Sequence, residues 1–297
     1  MSSAASDFVV RFLFEALDIR GAFVRLDDAW RSLQARRNYN ATVRDLLGEL
    51  TATAVLIADN LKQPGRLTFH LQGDGPIRML VVDCSADLHL RGMAQTADDV
   101  TDNAIDIEPA SAPQLFGNGQ LTLILQNESA REPWQSLVPL AGENIAGIFE
   151  HYLAQSEQQP ARLWLAANER QACGLFLQKL PGADACDADG WTRLTQLAAT
   201  ATRQEMRALS PETLLRRLFP QEDIRLFAPK PVRYDCPEDR EKVIDMLRLL
   251  GREEIEAVLA EQGEVIVRDD ICNHEYQFGA DDLDEIFPAA PTRRTLH

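Results

Sequence analysis

The residues best suited to chemistry in this sequence are its five cysteines, Cys84, Cys173, Cys186, Cys236 and Cys272. A thiolate is both a nucleophile and a metal ligand. An odd number at wide spacing is unlike the disulfide framework of a small secreted domain. Cys84 follows an apolar strand and Cys173 sits in an apolar segment. Free cysteine is among the most buried residue types, so both read as inert core. Cys186 lies in a polar loop and reads as an exposed thiol without a role. Cys236 and Cys272 bracket a small C-terminal unit. The pattern predicts a helix from Pro237, which would set Cys236 at a helix N-terminus, where the dipole lowers a thiol's pKa. Cys272 falls in Asp269-Asp270-Ile271-Cys272-Asn273-His274, just after a strand. A unit of about 65 residues is near the size at which a metal or a disulfide becomes useful. Two ordinary thiols in a self-sufficient unit would fit the same spacing.

Other candidates are weaker. His70, His89 and His151 are isolated, and no nucleophile–histidine–acid set can be assembled. Gly73-Asp74-Gly75-Pro76 is followed by a strand, whereas a phosphate loop opens a helix, so it reads as a hairpin turn. Asp187-Ala188-Asp189-Gly190 fails as a calcium loop, because Ala185 and Gln196 stand where oxygen ligands are needed.

The elements that must position these residues are legible from periodicity. Val43, Leu46, Leu47, Leu50, Ala54, Ile57, Ala58 and Leu61 recur at helical spacing and predict a helix with one face on a sheet. A meander of antiparallel strands follows over 66–72, 77–83 and 87–95, with another at Leu121 to Leu125. A helix is expected over 144–155 and a strand over 163–166, while 173–180 is apolar but of undecided type. Pro181 to Gly190 reads as a boundary loop. Beyond it come helical segments at 191–209 and 212–219, the second opened by Ser210-Pro211. The tail carries helices over 237–250 and 252–261 and strands over 264–268 and 276–278. The fold class is therefore α+β: an N-terminal antiparallel-sheet and helix domain (1–180), a helical linker (181–231) and a small C-terminal α+β domain (232–297).

Charge and hydropathy narrow the function classes. The 297 residues hold 30 Lys+Arg against 46 Asp+Glu, a formal net charge of -16. Such acidity argues against nucleic acid or an anionic membrane surface as a partner. From Val232 onward there are 8 Lys or Arg and 17 Asp or Glu, so over half the net charge sits in the tail. No spanning segment is visible: Phe8 to Phe14 is short and broken by Arg11, and Pro109 to Asn127 holds two Pro, two Gly and amides. Met1 to Asp7 lacks a signal-peptide pattern, so the expected location is the cytoplasm.

The order of segments resembles the thirty-three-kilodalton heat-shock proteins, the redox-regulated holdase chaperones of bacteria, from about Arg11 to Phe287. The matching stretches are Arg20-Gly21-Ala22-Phe23-Val24-Arg25-Leu26-Asp27, Leu46-Leu47-Gly48-Glu49-Leu50, Gln72-Gly73-Asp74-Gly75-Pro76 and Leu90-Arg91-Gly92. Tyr152 to Gln158, Leu177 to Pro181, Asp239-Arg240-Glu241, Leu250 to Glu254 and Tyr276-Gln277-Phe278 continue the series. Together, in order and at suitable spacing, these pieces are specific. The resemblance implies a metastable helical linker and a C-terminal zinc switch held by C-x-C and C-x-x-C. In that family, oxidation makes two disulfides, expels zinc and unfolds switch and linker, and the exposed apolar surface then holds unfolded clients without ATP. Dimerisation of the active form is also implied.

This sequence departs from that pattern at the switch, because Glu238 and Asp269 stand where two of the four cysteines should be. A mixed zinc site of Cys236, Glu238, Asp269 and Cys272 would be weaker, since soft thiolates favour zinc. His274 is a substitute ligand two residues from Cys272. The two disulfides of the family cannot form, which leaves one Cys236–Cys272 bond or no redox switch. Arg240 or Arg268 could neutralise the two carboxylates without metal. The expected function is an ATP-independent holdase whose clients meet Leu214, Leu215, Leu218 and Phe219 of the linker, with no enzymatic activity. The alternative is a disulfide oxidoreductase using Cys236 or Cys272, although such enzymes place two thiols in a close C-x-x-C that this chain lacks.

Overall fold

Phe8–Phe14 (β1) and Ile19–Leu26 (β2), apolar along most of their length, pair antiparallel, Phe8 opposite Arg25 and Phe14 opposite Ile19. The computed structural model describes residues 6–35, 37–61, 63–97, 111–127, 132–156 and 158–288. Met1 to Ala5, Pro109 and Ala110 of the charge-free run, Glu157 and the tail beyond 288 lie outside the described residues. The chain divides into two compact units, Met1–Asp235 and Cys236–His297.

The first unit continues with α1 (Asp28–Gln34), α2 (Ala41–Asn60), β3 (Arg66–Gln72), β4 (Ile77–Cys84), β5 (His89–Thr96) and α3 (Ala112–Phe116). Next come β6 (Gln120–Gln126), β7 (Trp134–Pro139), α4 (Ile145–Ser156), β8 (Ala161–Ala167) and β9 (Ala172–Lys179). It ends with α5 (Ala183–Cys186), α6 (Gly190–Ala198), α7 (Arg203–Ala208), α8 (Pro211–Leu218), β10 (Ile224–Leu226), β11 (Lys230–Pro231) and β12 (Arg233–Tyr234). One sheet has the order β10-β1-β2-β9-β8, with β11 also on β1, and is antiparallel throughout. The other runs β12-β5-β4-β3-β6-β7 and is antiparallel except for the parallel β12–β5 pair.

Helix α2 is expected from its periodicity, and Asn40 caps it by accepting from the Thr42 amide at 2.8 Å. It is buried on more than the one face that the stripe predicts, because it shares a core with strands of both sheets. The residues between the stripe positions permit this. Thr51 and Thr53 donate to the carbonyls of Leu47 and Glu49 at 2.7 and 2.8 Å, so their hydroxyls need no water. Gly48 lets the chain approach closely, since a Cβ there would lie 2.6 Å from that of Ala167.

Strand β9 resolves the undecided segment. It is buried along almost its whole length because its sheet is covered on both faces, so it reads as a continuous apolar run rather than an alternation. The second cover is made by the segment after Gly190. Leu194, Ala198, Met206, Leu214, Leu215, Leu218 and Phe219 form a core with Phe12, Phe14, Phe23, Leu175 and Leu177. Phe219 meets Phe14 edge to face, ring centroids 5.0 Å apart. Arg25 ties the cover to β2 by donating to the carbonyls of Met206, at 3.0 Å, and Leu209. Glu205 and Arg217 pair between α7 and α8.

The second unit holds α9 (Arg240–Leu250), α10 (Arg252–Gln262), the hairpin β13 (Val265–Arg268) and β14 (Glu275–Phe278), a single 3-10 turn (Ala280–Asp282) and α11 (Leu283–Ile286). Its core is Ile244, Leu247, Ile255, Val265, Tyr276, Phe278 and Ile286. The unit begins at Cys236 rather than Val232, because Arg233 and Tyr234 pair with His89 and Leu90 of the first unit. Its first helix starts at Arg240, not Pro237, with the Asp239 carboxylate accepting from the Lys242 amide at 3.0 Å. Cys236 therefore stands outside the first helical turn, and the dipole argument for its thiol falls. Among the described residues no helix is long and apolar enough to cross a membrane.

Candidate functional site

The β13–β14 hairpin carries a six-residue loop, Asp269 to His274, between the paired ends Arg268 and Glu275. The Asp269 amide donates to the His274 carbonyl at 2.9 Å, and the Asn273 amide to the Asp269 carbonyl at 2.8 Å. Asn273 takes a left-handed conformation, φ 55°, which asparagine tolerates better than most residues. The Asp269 carboxylate accepts from the amides of Ile271 and Cys272 at 2.8 and 2.7 Å. Its Oδ1 thus shapes the loop that presents Cys272.

Opposite the loop lies the stretch leading into α9. The Asp239 amide donates to the Tyr276 hydroxyl at 2.9 Å, which fixes this stretch to β14. Cys236 and Cys272 are joined as a disulfide with a Cα–Cα distance of 6.1 Å, inside the range such bonds span. His274 is 9% exposed and Cys272 7%. The imidazole faces the same stretch through both nitrogens: Nε2 lies 2.9 Å from the Cys236 carbonyl and Nδ1 3.1 Å from Glu238 Oε1. A carbonyl only accepts, so Nε2 is the donor in that bond.

Ligand atoms of Cys236, Cys272 and His274 all lie within 4.8 Å of one another. Two sulfurs and an imidazole are a donor set that suits zinc, with one coordination position left over. The sequence-based set of Cys236, Glu238, Asp269 and Cys272 is thus placed as follows. The two cysteines meet, Glu238 sits on the far nitrogen of His274, and Asp269 Oδ1 is engaged by its own loop. Arg240 pairs with Asp282 and Glu285 at 2.8 and 3.1 Å, and Arg268 with Glu275 at 2.7 Å, rather than with Glu238 and Asp269. The His274–Glu238 pairing is the feature that sequence reading missed; the C-x-H spacing of Cys272 and His274 was its one signal.

Cys84 and Cys173 are where the sequence puts them, whereas Cys186 ends the short helix α5 rather than lying in a loop. Cys84 and Cys173 are buried and Cys186 exposed. Burial holds the Cys84 thiol far above its ordinary pKa and pushes that of Cys173 up to about 12, so neither forms a thiolate near neutrality. Of the predicted client-binding residues, Leu214, Leu215, Leu218 and Phe219 are at most 3% exposed and face the first sheet.

Fold and site together define an α+β protein with a helical cover on one sheet and a separate small unit braced by one cysteine pair. The profile described as Hsp33 protein matches residues 7–279. The "33 kDa chaperonin" of Nitrosococcus oceani is 39% identical over 294 residues, 98% of this chain and 99% of that one. Its namesake from Methylobacillus flagellatus is 38% identical over 284 residues, 95% and 94% of the two chains. The crystal structure of the 33 kDa chaperonin (heat shock protein 33 homolog) of Thermotoga maritima superposes with a TM-score of 0.78, at 21% identity, covering 94% of this chain and 97% of that one. The chain belongs to the Hsp33 family.

Proposed function

We propose that this protein is a holdase: it binds unfolded polypeptides without ATP and keeps them from aggregating. Family membership supports the class, and the observation that carries the site is the second core. Four large apolar side chains of α8 and its end are buried against one sheet face. Each is worth about 1.5–3 kcal/mol when buried, so the cover is held shut by apolar contact and opening it exposes a surface suited to clients. Residues 181–231 act as the movable linker in this reading. The acidic tail keeps a client-loaded protein soluble by like-charge repulsion.

Redox control acts through Cys236 and Cys272, and its sense follows from what the bond joins. The disulfide ties the segment before α9 to the hairpin loop, 36 residues apart in sequence. It braces the small unit. Oxidation therefore closes this unit, the reverse of the sense that the four-cysteine pattern implies, and reduction releases it.

Light scattering of a chemically unfolded client tests both parts. The expected result is stronger suppression of aggregation by reduced, chelator-treated protein than by oxidised protein. Equal suppression in both states would mean a constitutive holdase, and suppression only after oxidation would reverse the proposed sense. No suppression in either state would refute the chaperone reading.

A further inference from the structure

The chain that returns to the edge of the first sheet leaves a cleft there. Between the pairs Val9–Lys230 and Phe12–Leu226, two residues of β1, Val10 and Arg11, face three of the returning chain, Phe227 to Pro229. Such a bulge bends the strand and often borders a functional site. Here it adjoins a cleft of about 850 Å³ bounded by β1, the end of β2, the start of α8 and residues 226–231. That volume is in the range of small-molecule sites. We propose that the cleft binds a small neutral ligand carrying an amide between apolar groups, its C=O accepting from Arg25 and its N–H donating to Asp27.

Three observations carry it. First, the walls are largely apolar, with Phe8 and Val10 from β1 and Phe227, Pro229 and Pro231 from the returning chain. The Arg225 guanidinium stacks over the Phe227 ring, 5.4 Å from its centroid, and holds it in place. Second, Arg25 and Asp27 both line the cleft, and each keeps a buried atom that the fold leaves unused. Arg25 spends Nη2 on the carbonyls of Met206 and Leu209, while its Nε meets no acceptor and Asp27 Oδ1 meets no donor among the described residues. Burial holds the Asp27 carboxyl above its ordinary range, although Gln171 and Arg25 pull it down. Buried polar atoms are nearly always paired, so an orphan donor and an orphan acceptor two residues apart call for a partner from outside the chain. Rotation of the guanidinium and the carboxyl turns them to the cleft. Third, the charges lining the cleft balance, Arg25 and Lys230 against Asp27 and Glu212, which favours neither an anion nor a cation. An amide of the cis type shows C=O and N–H side by side and matches this pair.

Residues 210–212 and 226–231 lie in the segment 181–231, so the cleft exists only while that segment rests on the sheet. A ligand bound there favours the closed form by mass action. Its further effect, to reduce client capture, rests on the holdase reading; the site does not, because it is tested without a client.

The test is calorimetric titration of the full-length protein with the cyclic dipeptide of phenylalanine and proline, a neutral ring with one cis N–H amide. Its N-methyl derivative, which lacks that N–H, is the comparison. One equivalent is expected to bind. The N-methyl ring, and the parent ring on Asp27→Ala, should each bind about 10–100-fold more weakly, the usual loss of a hydrogen bond to a charged group. The Asp27 side chain makes no cap bond to α1, and unchanged hydrogen exchange in β2 and β9 verifies the variant's fold. At a ring concentration of about 100 times Kd, exchange of residues 210–218 should slow about a hundredfold, while β6 does not change. No saturable binding, equal affinity for both rings, or unchanged exchange at 210–218 would overturn the proposal. Binding and slowed exchange with unchanged client suppression would support the site and count against the client-binding role of the cover.

Discussion

Reducing the Cys236–Cys272 bond in the presence of a chelator should unfold the C-terminal unit and leave the paired strands of the first unit folded. The bond closes a loop with a sequence separation of 36. In the chain-entropy description, such a cross-link removes about 4 kcal/mol of freedom from the unfolded chain. Against that stands the stability of a unit of about 60 residues, roughly 3–9 kcal/mol at the usual value per residue. Its core holds two aromatic rings and a handful of aliphatic side chains, which favours the lower end. The bond thus supplies an amount comparable with the whole. Hydrogen exchange read by mass spectrometry is the assay, with peptides from 240–262 and 265–278 compared with peptides from β2 and β9. Protection of the first set should fall by about three orders of magnitude on reduction, since each 1.4 kcal/mol is tenfold. The β2 and β9 peptides should not change. Equal protection of the C-terminal peptides in both states, or faster exchange after oxidation, would refute the bracing argument.

Three further perturbations act elsewhere. Phe219→Ala removes a buried ring and its edge-to-face contact with Phe14, a loss of about 3–5 kcal/mol; α7 and α8 should exchange faster and client suppression should rise under every redox condition, whereas faster exchange without more suppression would detach the cover from client binding. Glu49 is buried beside Arg203, and burial raises its carboxyl to about 7 from 4.5. Its folded-state pKa lies above the unfolded one, so its contribution is complete below about 4.5 and is lost as pH rises through about 7, on the order of 3 kcal/mol in all. Glu49→Gln should flatten that fall, and urea unfolding at pH 5.5, 7 and 8.5 should show the gap between variant and wild type widening upward; parallel profiles would count against the assignment. Asp239→Ala removes the cap of α9 and should cost the C-terminal unit about 1 kcal/mol, seen as a lower denaturant midpoint for that unit alone.

The departures from the sequence reading share a cause. Helix α2 has a clear stripe, yet both sheets pack on it; a stripe marks the most apolar face and does not forbid burial of Thr51, Ala52 and Thr53, whose polar groups are satisfied within the helix. Short strands such as Lys230–Pro231 and Arg233–Tyr234 have no periodicity of their own and exist because β1 and β5 offer free edges. The start of α9 moved to Arg240 because Asp239 caps it while donating its amide to Tyr276, a partner 37 residues away in sequence.

Sequence alone determined the α+β class, helix α2 and the antiparallel meander that follows it, because hydrophobic period and turn residues are local properties, whereas β9, buried on both faces, carries no alternation by which to read it. The inertness of Cys84 and Cys173 was legible for the same reason. Only the tertiary structure decided what the two missing cysteines leave behind. Glu238 and Asp269 occupy adjacent-looking positions in the pattern, but one carboxylate meets a histidine ring across the unit and the other turns back on its own loop. Which of these happens depends on where hydrogen-bond donors from distant segments converge once the hairpin closes, and that convergence is a property of packing in space.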